Sequence, residues 1–305
     1  MSEAVTVLMC TFNGREHLSA QLDSILQQGA DVQMYVSDDG STDGTRALLD
    51  DYQARYPLLS WRSGPGKGFV HNFFGLICDT DIEGQYFALA DQDDVWLPGH
   101  LERAQRLLAQ VPEGIPALVA SRTRLVDYRL GPLGLSPAHE WAPSFRNALV
   151  QNIASGNTMV FNAAARTLMK RVAQGRLPHW HDWMLYQVVT ACGGQVFYLQ
   201  EPSVLYRQHA ANTLGARWHW SGRWHRIMLL LQGKLKEWTA VNSMALDLVR
   251  EQMTSENQVI LDQFLVARSM CLPWRRLMGL RRSGVYRQSL SGQLALYLAV
   301  IFNLL

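Results

Sequence analysis

The sequence predicts an α/β fold in which a mostly parallel sheet carries helices on both faces. Two observations lead to this prediction. Over about the first 110 residues, short apolar runs of β-forming residues alternate with stretches whose apolar residues recur at helical spacing. Polar, glycine-rich loops follow the successive apolar runs, as expected at the carboxyl ends of parallel strands. Ligands bind at that edge of such sheets, so these loops are the first candidates for a functional site.

The predicted elements alternate in chain order through this region. The predicted strands are 5–10, 32–36, 58–61 and 86–90. The helices between and after them are marked by apolar residues three or four positions apart, namely Leu18, Leu22 and Ile25; Leu48, Leu49 and Tyr52; Phe69, Phe73 and Leu76; and Leu101, Ala104 and Leu108. Beyond residue 115 the pattern loosens, with predicted strands at 117–120, 158–161, 196–199 and 204–206 and predicted helices at 163–172 and 183–190.

From about Arg217 onward, the pattern is helical. We therefore expect an α/β domain over residues 1–215, whose regular part ends near residue 115, and a helical C-terminal extension over residues 216–305.

No stretch reaches the ~20 apolar residues of a membrane-spanning helix. The N-terminal sequence MSEAVTVL lacks the basic and apolar regions of a secretory signal, and the four cysteines form no C-x-x-C pair. These features favour a reducing, cytoplasmic location.

Charge is distributed unevenly along the chain. Residues 1–110 carry 7 Lys+Arg and 16 Asp+Glu, a net charge of −9, whereas residues 201–305 carry 13 and 6, a net charge of +7. An acidic front favours a cation site, and a basic back favours an anionic surface as its partner. The basic residues avoid the glycine-rich loops, which disfavours nucleic acid as a ligand of the crevice.

The strongest local signal is DQDD, residues 91–94, which ends the apolar strand 86–90. Carboxylates this close repel each other, so one of them protonates unless a cation compensates. Hard cations such as Mg²⁺ bind through one or two carboxylates plus phosphate oxygens, so one aspartate on the metal and a neighbour on a ribose hydroxyl would explain the cluster. The alternative is a solvated turn in which Asp94 caps the following helix.

Two further loops lie at the same edge. SDDGSTDGT, residues 37–45, matches some positions of a calcium-binding loop, but a strand precedes it where that motif requires a helix. A carboxylate here can instead accept the imide N–H of uracil or thymine, or simply form a capped turn. In SGPGKG, residues 63–68, Lys67 is placed to meet a phosphate, although most such loops are only turns.

Two motifs of the second half carry candidate chemistry. WHDWM places Asp182 among apolar and aromatic residues, where burial raises the pKa of a carboxyl group as a general base requires. The alternative is a helix cap. YRQHAANT follows an apolar strand and offers Arg207 and His209 to a diphosphate or its metal, although a lone histidine is more often structural.

Taken in order, VTVLMCTFNG, SDDGSTDGT, DQDDVW, SGNTMVFN, HDW and YRQHAANT resemble the family 2 glycosyltransferases with the GT-A fold, in the bacterial rhamnosyltransferase-like branch. The resemblance covers roughly residues 4–215. It implies a nucleotide-binding half over about 1–115, an acceptor half over about 116–215, and inverting transfer of a sugar from a nucleotide donor. The residues matching the family's positions are Thr11, Asn13, Asp38 and Asp39 for the nucleotide, Asp91 and Asp93 for ribose and metal, Asp182 for the base, and His209 near the diphosphate and metal.

The sequence departs from the family pattern at three places. His181-Asp182 stands where Glu-Asp is usual, Asn157 stands where a small residue is expected, and the Q-x-x-R-W signature of processive members is absent. These departures favour the addition of a single sugar. We expect dTDP-L-rhamnose as the donor and a cell-envelope glycan such as lipopolysaccharide, or its lipid-linked precursor, as the acceptor. The alternatives are a UDP-sugar glucosyl- or galactosyltransferase and a non-catalytic nucleotide-sugar-binding scaffold.

The extension contains interleaved tryptophan and arginine, in ARWHWSGRWHR and LPWRRLMGLRRSGVYR. This composition suits the surface of a membrane, here the cytoplasmic face of an inner membrane. It suits a helical packing surface equally well.

Overall fold

The computed structural model describes residues 4–29, 31–208 and 232–305. Within these residues, nine strands form one sheet. The strands are β1 (Val5–Thr11), β2 (Val32–Asp38), β3 (Leu59–Ser63), β4 (Tyr86–Ala90), β5 (Val95–Trp96), β6 (Ala117–Val126), β7 (Pro132–Leu135), β8 (Val160–Asn162) and β9 (Gln195–Arg207). The helices are α1 (Arg15–Leu26), α2 (Thr45–Arg55), α3 (Phe69–Cys78), α4 (His100–Leu108), α5 (Phe145–Ala148), α6 (Ala163–Val172), α7 (His181–Ala191), α8 (Lys234–Asp247), α9 (Ser255–Ser269), α10 (Pro273–Ser283) and α11 (Leu290–Ile301).

The strand order in the sheet is β3-β2-β1-β4-β8-β6-β9-β5, with β7 paired to β6. The first four strands in this order are parallel, as predicted, whereas β8 is antiparallel to both of its neighbours. The remaining pairs are mixed: β6 and β9 are parallel, and β5 and β7 are antiparallel additions. This topology brings the carboxyl ends of β1, β2 and β4 to one edge, with the three polar loops that follow them.

The sheet separates two apolar clusters. Val5, Val7 and Met9 of β1 pack on one side and Leu8 on the other, as the alternation of a strand requires. The cluster that contains Leu8 also contains buried side chains of α7 and of the extension, among them Leu185, Leu246, Leu261, Phe264 and Leu296. The described helices of the extension therefore pack against the α/β part in a shared core.

The structure differs from the sequence prediction in two ways. The two strands predicted at 196–199 and 204–206 are one strand, β9, whose register against β6 shifts between Ser121 and Thr123. Pro202 lies in that irregular stretch, which is where a proline without a backbone N–H is tolerated in a sheet. The short elements β5, β7 and α5 were not predicted, because two to four residues are too few to show a period. None of the helices in the described ranges has the length and hydropathy that crossing a bilayer requires.

Candidate active site

The loop after β1 and the loop after β2 form one hydrogen-bonded unit. The backbone N–H of Asn13 donates to Ser41 Oγ at 2.8 Å, and Asn13 Oδ1 accepts from the backbone N–H of Thr42 at 2.9 Å. Asn13 has a φ of 48°, in the left-handed region that asparagine tolerates better than most residues. Asp43 accepts from the backbone N–H groups of Arg15 and Thr45, the first residues of α1 and α2, at 3.0 Å each. The geometry of both loops is thus fixed before any ligand binds.

Asp38, at the end of β2, is the centre of this unit. Its side chain is fully buried. Its carboxylate accepts from Thr11 Oγ1 at 3.0 Å, from Arg46 Nε at 2.6 Å, from the backbone N–H of Ser41 at 3.0 Å, and from Ser41 Oγ. Burial alone would raise the pKa of Asp38, but the hydrogen bonds from Ser41, Arg46 and Thr11 outweigh it and lower the pKa below its ordinary value. Asp38, together with Thr11 Oγ1, therefore holds the loops, and the expectation that these two residues also contact the nucleotide stays a prediction.

Asp39 holds the SGPGKG loop, which follows β3. Its two carboxylate oxygens accept from the backbone N–H groups of Gly66 and Gly68 at 2.7 and 2.6 Å. Both glycines have positive φ, 65° and 87°, which a side chain would strain. Lys67 lies between them and is exposed, and it makes no hydrogen bond or ion pair with another described residue. The SGPGKG loop is therefore a tethered turn that presents a lysine ammonium group at the rim of the crevice.

Gln92 of DQDD connects the β1 and β4 ends. Its Oε1 accepts from the backbone N–H of Phe12 at 2.8 Å, and its Nε2 donates to the carbonyl of Phe12 at 3.0 Å. A Cβ on Gly14 would lie 2.1 Å from Gln92 Oε1, so only glycine fits at that position. The glutamine was not singled out in the sequence, because an amide between carboxylates has no spacing signature.

Asp91 and Asp93 lie next to each other at the β4 end. Burial, followed by the negative charges of Asp93 and Asp182, raises the pKa of Asp91 to about 7. Asp91 accepts no hydrogen bond from any residue in the described ranges. A divalent cation would relieve this repulsion, and two carboxylates supply the hard oxygen ligands that Mg²⁺ or Mn²⁺ prefers. The described residues form no group of three or more His, Cys, Asp or Glu able to hold a metal, so such a cation would need further oxygens, as a diphosphate provides. His209 lies outside the described residues.

Asp94 has a different role from its neighbours. It is fully buried, and its carboxylate accepts from Asn157 Nδ2 at 2.5 Å and from the backbone N–H of Arg207 at 3.1 Å. The helix-cap alternative is wrong, because α4 begins after Gly99 and has no side-chain cap. Asp94 instead ties the β4 end to the 3₁₀ turn at Gly156–Thr158 and to the end of β9. Asn157, the departure noted in the sequence, is the donor that this buried carboxylate requires.

Arg207 joins the end of β9 to the DQDD loop. Its side chain is buried, with Nε donating to the carbonyl of Asp93 at 2.8 Å and Nη1 donating to the carbonyl of Tyr128 at 2.5 Å. The arginine therefore fixes the backbone of Asp93, and the expectation that its guanidinium group also binds the donor diphosphate stays a prediction.

Asp182 lies in the first turn of α7. Trp180 holds the N-cap position, so Asp182 is not the N-cap residue. Its Oδ2 accepts from Asn152 Nδ2 at 3.0 Å and from the backbone N–H of Gly156 at 3.3 Å, and its Oδ1 accepts from the backbone N–H of Trp183 at 2.7 Å. Burial raises the pKa of Asp182 to about 6 despite these hydrogen bonds. This value is suited to a general base near neutral pH.

The surroundings of Asp182 are closely packed. The ring of His181 stacks on Phe73 with centroids 4.1 Å apart, and burial lowers the pKa of His181 to about 3, which keeps the ring neutral. A Cβ on Gly156 would lie 3.2 Å from both Asp182 Cβ and His181 Nε2, so a larger residue there would push against the Asp182 side chain. Asn152 and Gly156, which hold the carboxylate in place, gave no signal of a role in the sequence. The 3₁₀ turn Gly156–Thr158 links Asp182 to the DQDD loop, because the backbone N–H of Gly156 donates to Asp182 and the neighbouring Asn157 donates to Asp94.

Comparison with known proteins gives a consistent result. The dTDP-rhamnosyl transferase RfbG of Shigella flexneri is 27% identical over 250 residues, which span 73% of this chain and 78% of that protein. An uncharacterized glycosyltransferase of Haemophilus influenzae is 25% identical over 68% of this chain and 67% of its own length.

Among solved structures, Staphylococcus aureus TarS (residues 1–349) in complex with UDP-GlcNAc superposes with a TM-score of 0.55 at 15% identity, over 99% of this chain and 89% of that one. The mannosyltransferase PcManGT of Pyrobaculum calidifontis, in complex with GDP-Man and Mn²⁺, gives a TM-score of 0.51 at 16% identity, over 100% of this chain and 86% of that one. The profile of glycosyl transferase family 2 matches residues 6–174, more than half of the chain. The chain therefore belongs to glycosyl transferase family 2 and is a glycosyltransferase with the GT-A fold.

Proposed function

We propose that this glycosyltransferase inverts the anomeric carbon and moves L-rhamnose from dTDP-L-rhamnose onto a cell-envelope glycan or its lipid-linked precursor. The observation that carries the mechanism is the 3₁₀ turn that joins Asp182 to the DQDD loop through Gly156 and Asn157, together with the pKa of Asp182, which burial raises to about 6. A carboxylate with that pKa, held by Asn152 and Gly156, is a base for an acceptor hydroxyl. The 27% identity to a dTDP-rhamnosyl transferase supports the choice of donor.

The chemistry follows from these positions. Asp182 accepts the proton of the acceptor hydroxyl as that oxygen forms a bond to the anomeric carbon from the face opposite the diphosphate. The bond from that carbon to the diphosphate oxygen breaks, and its electron pair leaves with the nucleoside diphosphate. Asp93, with Asp91 beside it, would hold Mg²⁺ or Mn²⁺, which neutralises charge on the leaving group when bound. Lys67 lies at the rim, where a cation can meet a phosphate oxygen.

The second candidate is a hexosyltransferase that uses a UDP-sugar. It is favoured by the structural similarity to TarS, which was solved with UDP-GlcNAc. We place the acceptor at the cytoplasmic surface of the inner membrane, since a lipid-linked precursor would be presented there.

A donor panel tests the proposal. The full chain is incubated with Mn²⁺ and dTDP-L-rhamnose, UDP-glucose, UDP-galactose or UDP-GlcNAc, and both the melting temperature and release of the nucleoside diphosphate in the presence of envelope glycans are measured. Sugar-free dTDP and UDP separate recognition of the base from recognition of the sugar. We expect dTDP-L-rhamnose to give the largest thermal shift and the only transfer product, with NMR showing inversion. A larger shift and transfer with a UDP-hexose would favour the second candidate.

A further inference from the structure

Helix α11 exposes a continuous apolar stripe. Leu290, Leu294, Leu298 and Phe302 follow one another at intervals of four residues, and their exposed fractions are 83%, 63%, 54% and 68%. Residues spaced by four lie along one face of a helix. The opposite face of α11 is buried in the core through Leu296, Ala299 and Val300. The stripe therefore faces away from the protein and is not needed to hold α11 in place.

The C-terminal segment that carries this stripe has positively charged side chains and no negatively charged ones. The last acidic residue of the chain is Asp262, and residues 263–305 contain six arginines and no Asp or Glu. Arg268 and Arg276 are used inside the protein, where they donate to the carbonyls of Lys236 and Ile301. Arg275, Arg281 and Arg282 on α10 are exposed. The surface next to the stripe is thus basic without acidic neighbours from its own segment.

An open cavity joins the stripe to the arginines. It has a volume of about 300 Å³. Its lining includes Leu290, the first residue of the stripe, together with Arg281, Arg287, Trp141, Tyr286 and Tyr297. Guanidinium groups bind phosphate oxygens, and tryptophan and tyrosine favour the boundary between apolar and aqueous phases. The cavity therefore combines the groups that a phospholipid headgroup meets with an apolar edge.

Charge decides between the possible occupants of this face. A second copy of the chain in a twofold interface would set the same basic surface against itself, and like charges brought together oppose association. Nucleic acid suits the arginines but gives four exposed apolar side chains no partner. An anionic bilayer satisfies both features, because an interfacial helix places apolar side chains at the acyl boundary and cations among the headgroups.

We propose that α11 and the adjoining arginines of α10 form a docking surface for a bilayer that contains anionic phospholipid, with the leucine stripe inserted at the acyl boundary. The inference rests on the proposed function only for the location of the acceptor. The main apolar contribution comes from α11, a helix that contains no charged residue, and the segment LPWRRLMGLRRSGVYR supplies the arginines. The other tryptophan- and arginine-rich segment, ARWHWSGRWHR, lies outside the described residues.

The test is sedimentation of the full chain with vesicles of phosphatidylcholine alone or with about a third phosphatidylglycerol. We expect binding to the anionic vesicles, weakened by 0.5 M NaCl. Leu290→Gln, Leu294→Gln and Leu298→Gln combined should reduce that binding by at least about tenfold, and Arg281→Gln with Arg282→Gln should reduce its salt dependence. A matched control changes three scattered leucine or methionine residues of similar exposure, Leu58, Leu133 and Met244, to Gln and should bind as the native protein does.

Several outcomes would overturn the inference. These are equal binding of the triple α11 variant and the native chain, equal binding to neutral and anionic vesicles, or a native dimer that the α11 variant converts to a monomer while neither binds lipid. Because the changed side chains are exposed, melting temperature and Mn²⁺-dependent dTDP affinity should stay unchanged, which keeps a folding defect distinguishable. If vesicles bind but no sugar is transferred to any acceptor, the docking surface is supported and the proposed function fails. If sugar is transferred but no vesicles bind, the proposed function is supported and the docking surface fails.

Discussion

The carboxyl ends of β2 and β4 carry similar acidic sequences, but the pKa of Asp38 at the first is lowered and the pKa of Asp91 at the second is raised. At the β2 end, Asp38 accepts hydrogen bonds from Thr11, Ser41 and Arg46, and Asp39 accepts two from glycine amides. The hydrogen bonds to Asp38 lower its pKa. At the β4 end, burial and the neighbouring carboxylates raise the pKa of Asp91 to about 7, with no compensating hydrogen bond from a described residue. The carboxylates of the β2 end accept hydrogen bonds from within the protein, whereas Asp91 at the β4 end accepts none from a described residue.

This difference separates the scaffold from the site. A carboxylate whose hydrogen bonds are already made stabilises the loops and has little left to offer a ligand. A carboxylate that lies close to other carboxylates adds an unfavourable electrostatic free energy to the ligand-free protein. A bound cation with its diphosphate relieves this repulsion. We therefore propose that the β2 end fixes the shape of the crevice and that the β4 end, with Asp182, supplies its chemistry.

The largest effect should come from Asp182→Asn. The change keeps size and most hydrogen bonding while it removes basicity, so we expect transfer to fall by at least about 10²-fold, with donor affinity and melting temperature little changed. Because the pKa of Asp182 is raised to about 6, native transfer should increase as pH rises through 6 and the base loses its proton. Steady-state rates across pH 5–8 measure both effects.

Glu140→Gln is the control for Asp182, because it changes an exposed carboxylate that also lies in the acceptor half, about residues 116–215. This variant should behave as the native protein does. If Asp182→Asn melts much lower while turnover per folded molecule survives, then Asp182 is a structural residue and the transfer needs another base.

The second largest effect should come from Asp93→Asn. Removing one of the two charges at the β4 end should eliminate the gain in dTDP affinity that Mn²⁺ provides, because the cation loses a charged oxygen ligand. Calorimetric titration of dTDP with and without Mn²⁺ measures this gain. Asp81→Asn, at an exposed position before β4, is the control. A metal-dependent gain that survives in Asp93→Asn would show that Asp93 is not a ligand.

The fold was predictable to the extent that burial leaves a pattern in the sequence. β1, β2 and β4 are mostly buried, so each appears as a largely apolar run, and each was predicted to within two residues of its end. β9 was divided in two because the polar stretch around Pro202 resembles a loop. Whether such a stretch ends a strand or bulges from it depends on the partner strand, and the local sequence does not contain that information.

The candidate site was predictable by location and less so by role. The order of strands and acidic loops indicates which carboxylates meet at the sheet edge. It does not indicate that Asp38 turns inward, because its donors Thr11, Ser41 and Arg46 come from both sides of the residue in the chain. The structural contacts of Arg207 were not predictable for the same reason, because its acceptors are backbone carbonyls more than 70 positions away in sequence and carbonyls leave no sequence pattern.

The role of Asp38 gives a third prediction. Asp38→Asn should lower the free energy of unfolding by about 1–3 kcal/mol, because buried donors lose a charged acceptor. Donor affinity per folded molecule should change little, since the residue lies beneath the loops. Asp51→Asn, which breaks an exposed pair with Arg55, should change stability by no more than about 0.5 kcal/mol. Chemical denaturation and calorimetry measure the two quantities. A large loss of nucleotide affinity without a loss of stability would show that Asp38 acts chiefly in the nucleotide site.

The smallest effect, and the most direct measure of the contrast between the two strand ends, is the pH dependence of stability without metal. In the unfolded chain Asp91 has a pKa near its ordinary 3.8, and in the folded protein the value is about 7. Between these values the folded state binds more protons than the unfolded state, so the contribution of Asp91 to stability falls as pH rises through this window. In EDTA, the melting temperature of the native protein should therefore fall more steeply between pH 5 and pH 8 than that of Asp91→Asn. Mg²⁺ should raise the native melting temperature most at the upper end of that range, where the charged pair is fully formed. Identical pH profiles for the two proteins in EDTA would mean that the β4 end is as well compensated as the β2 end, and the distinction between scaffold and site would have to be drawn elsewhere.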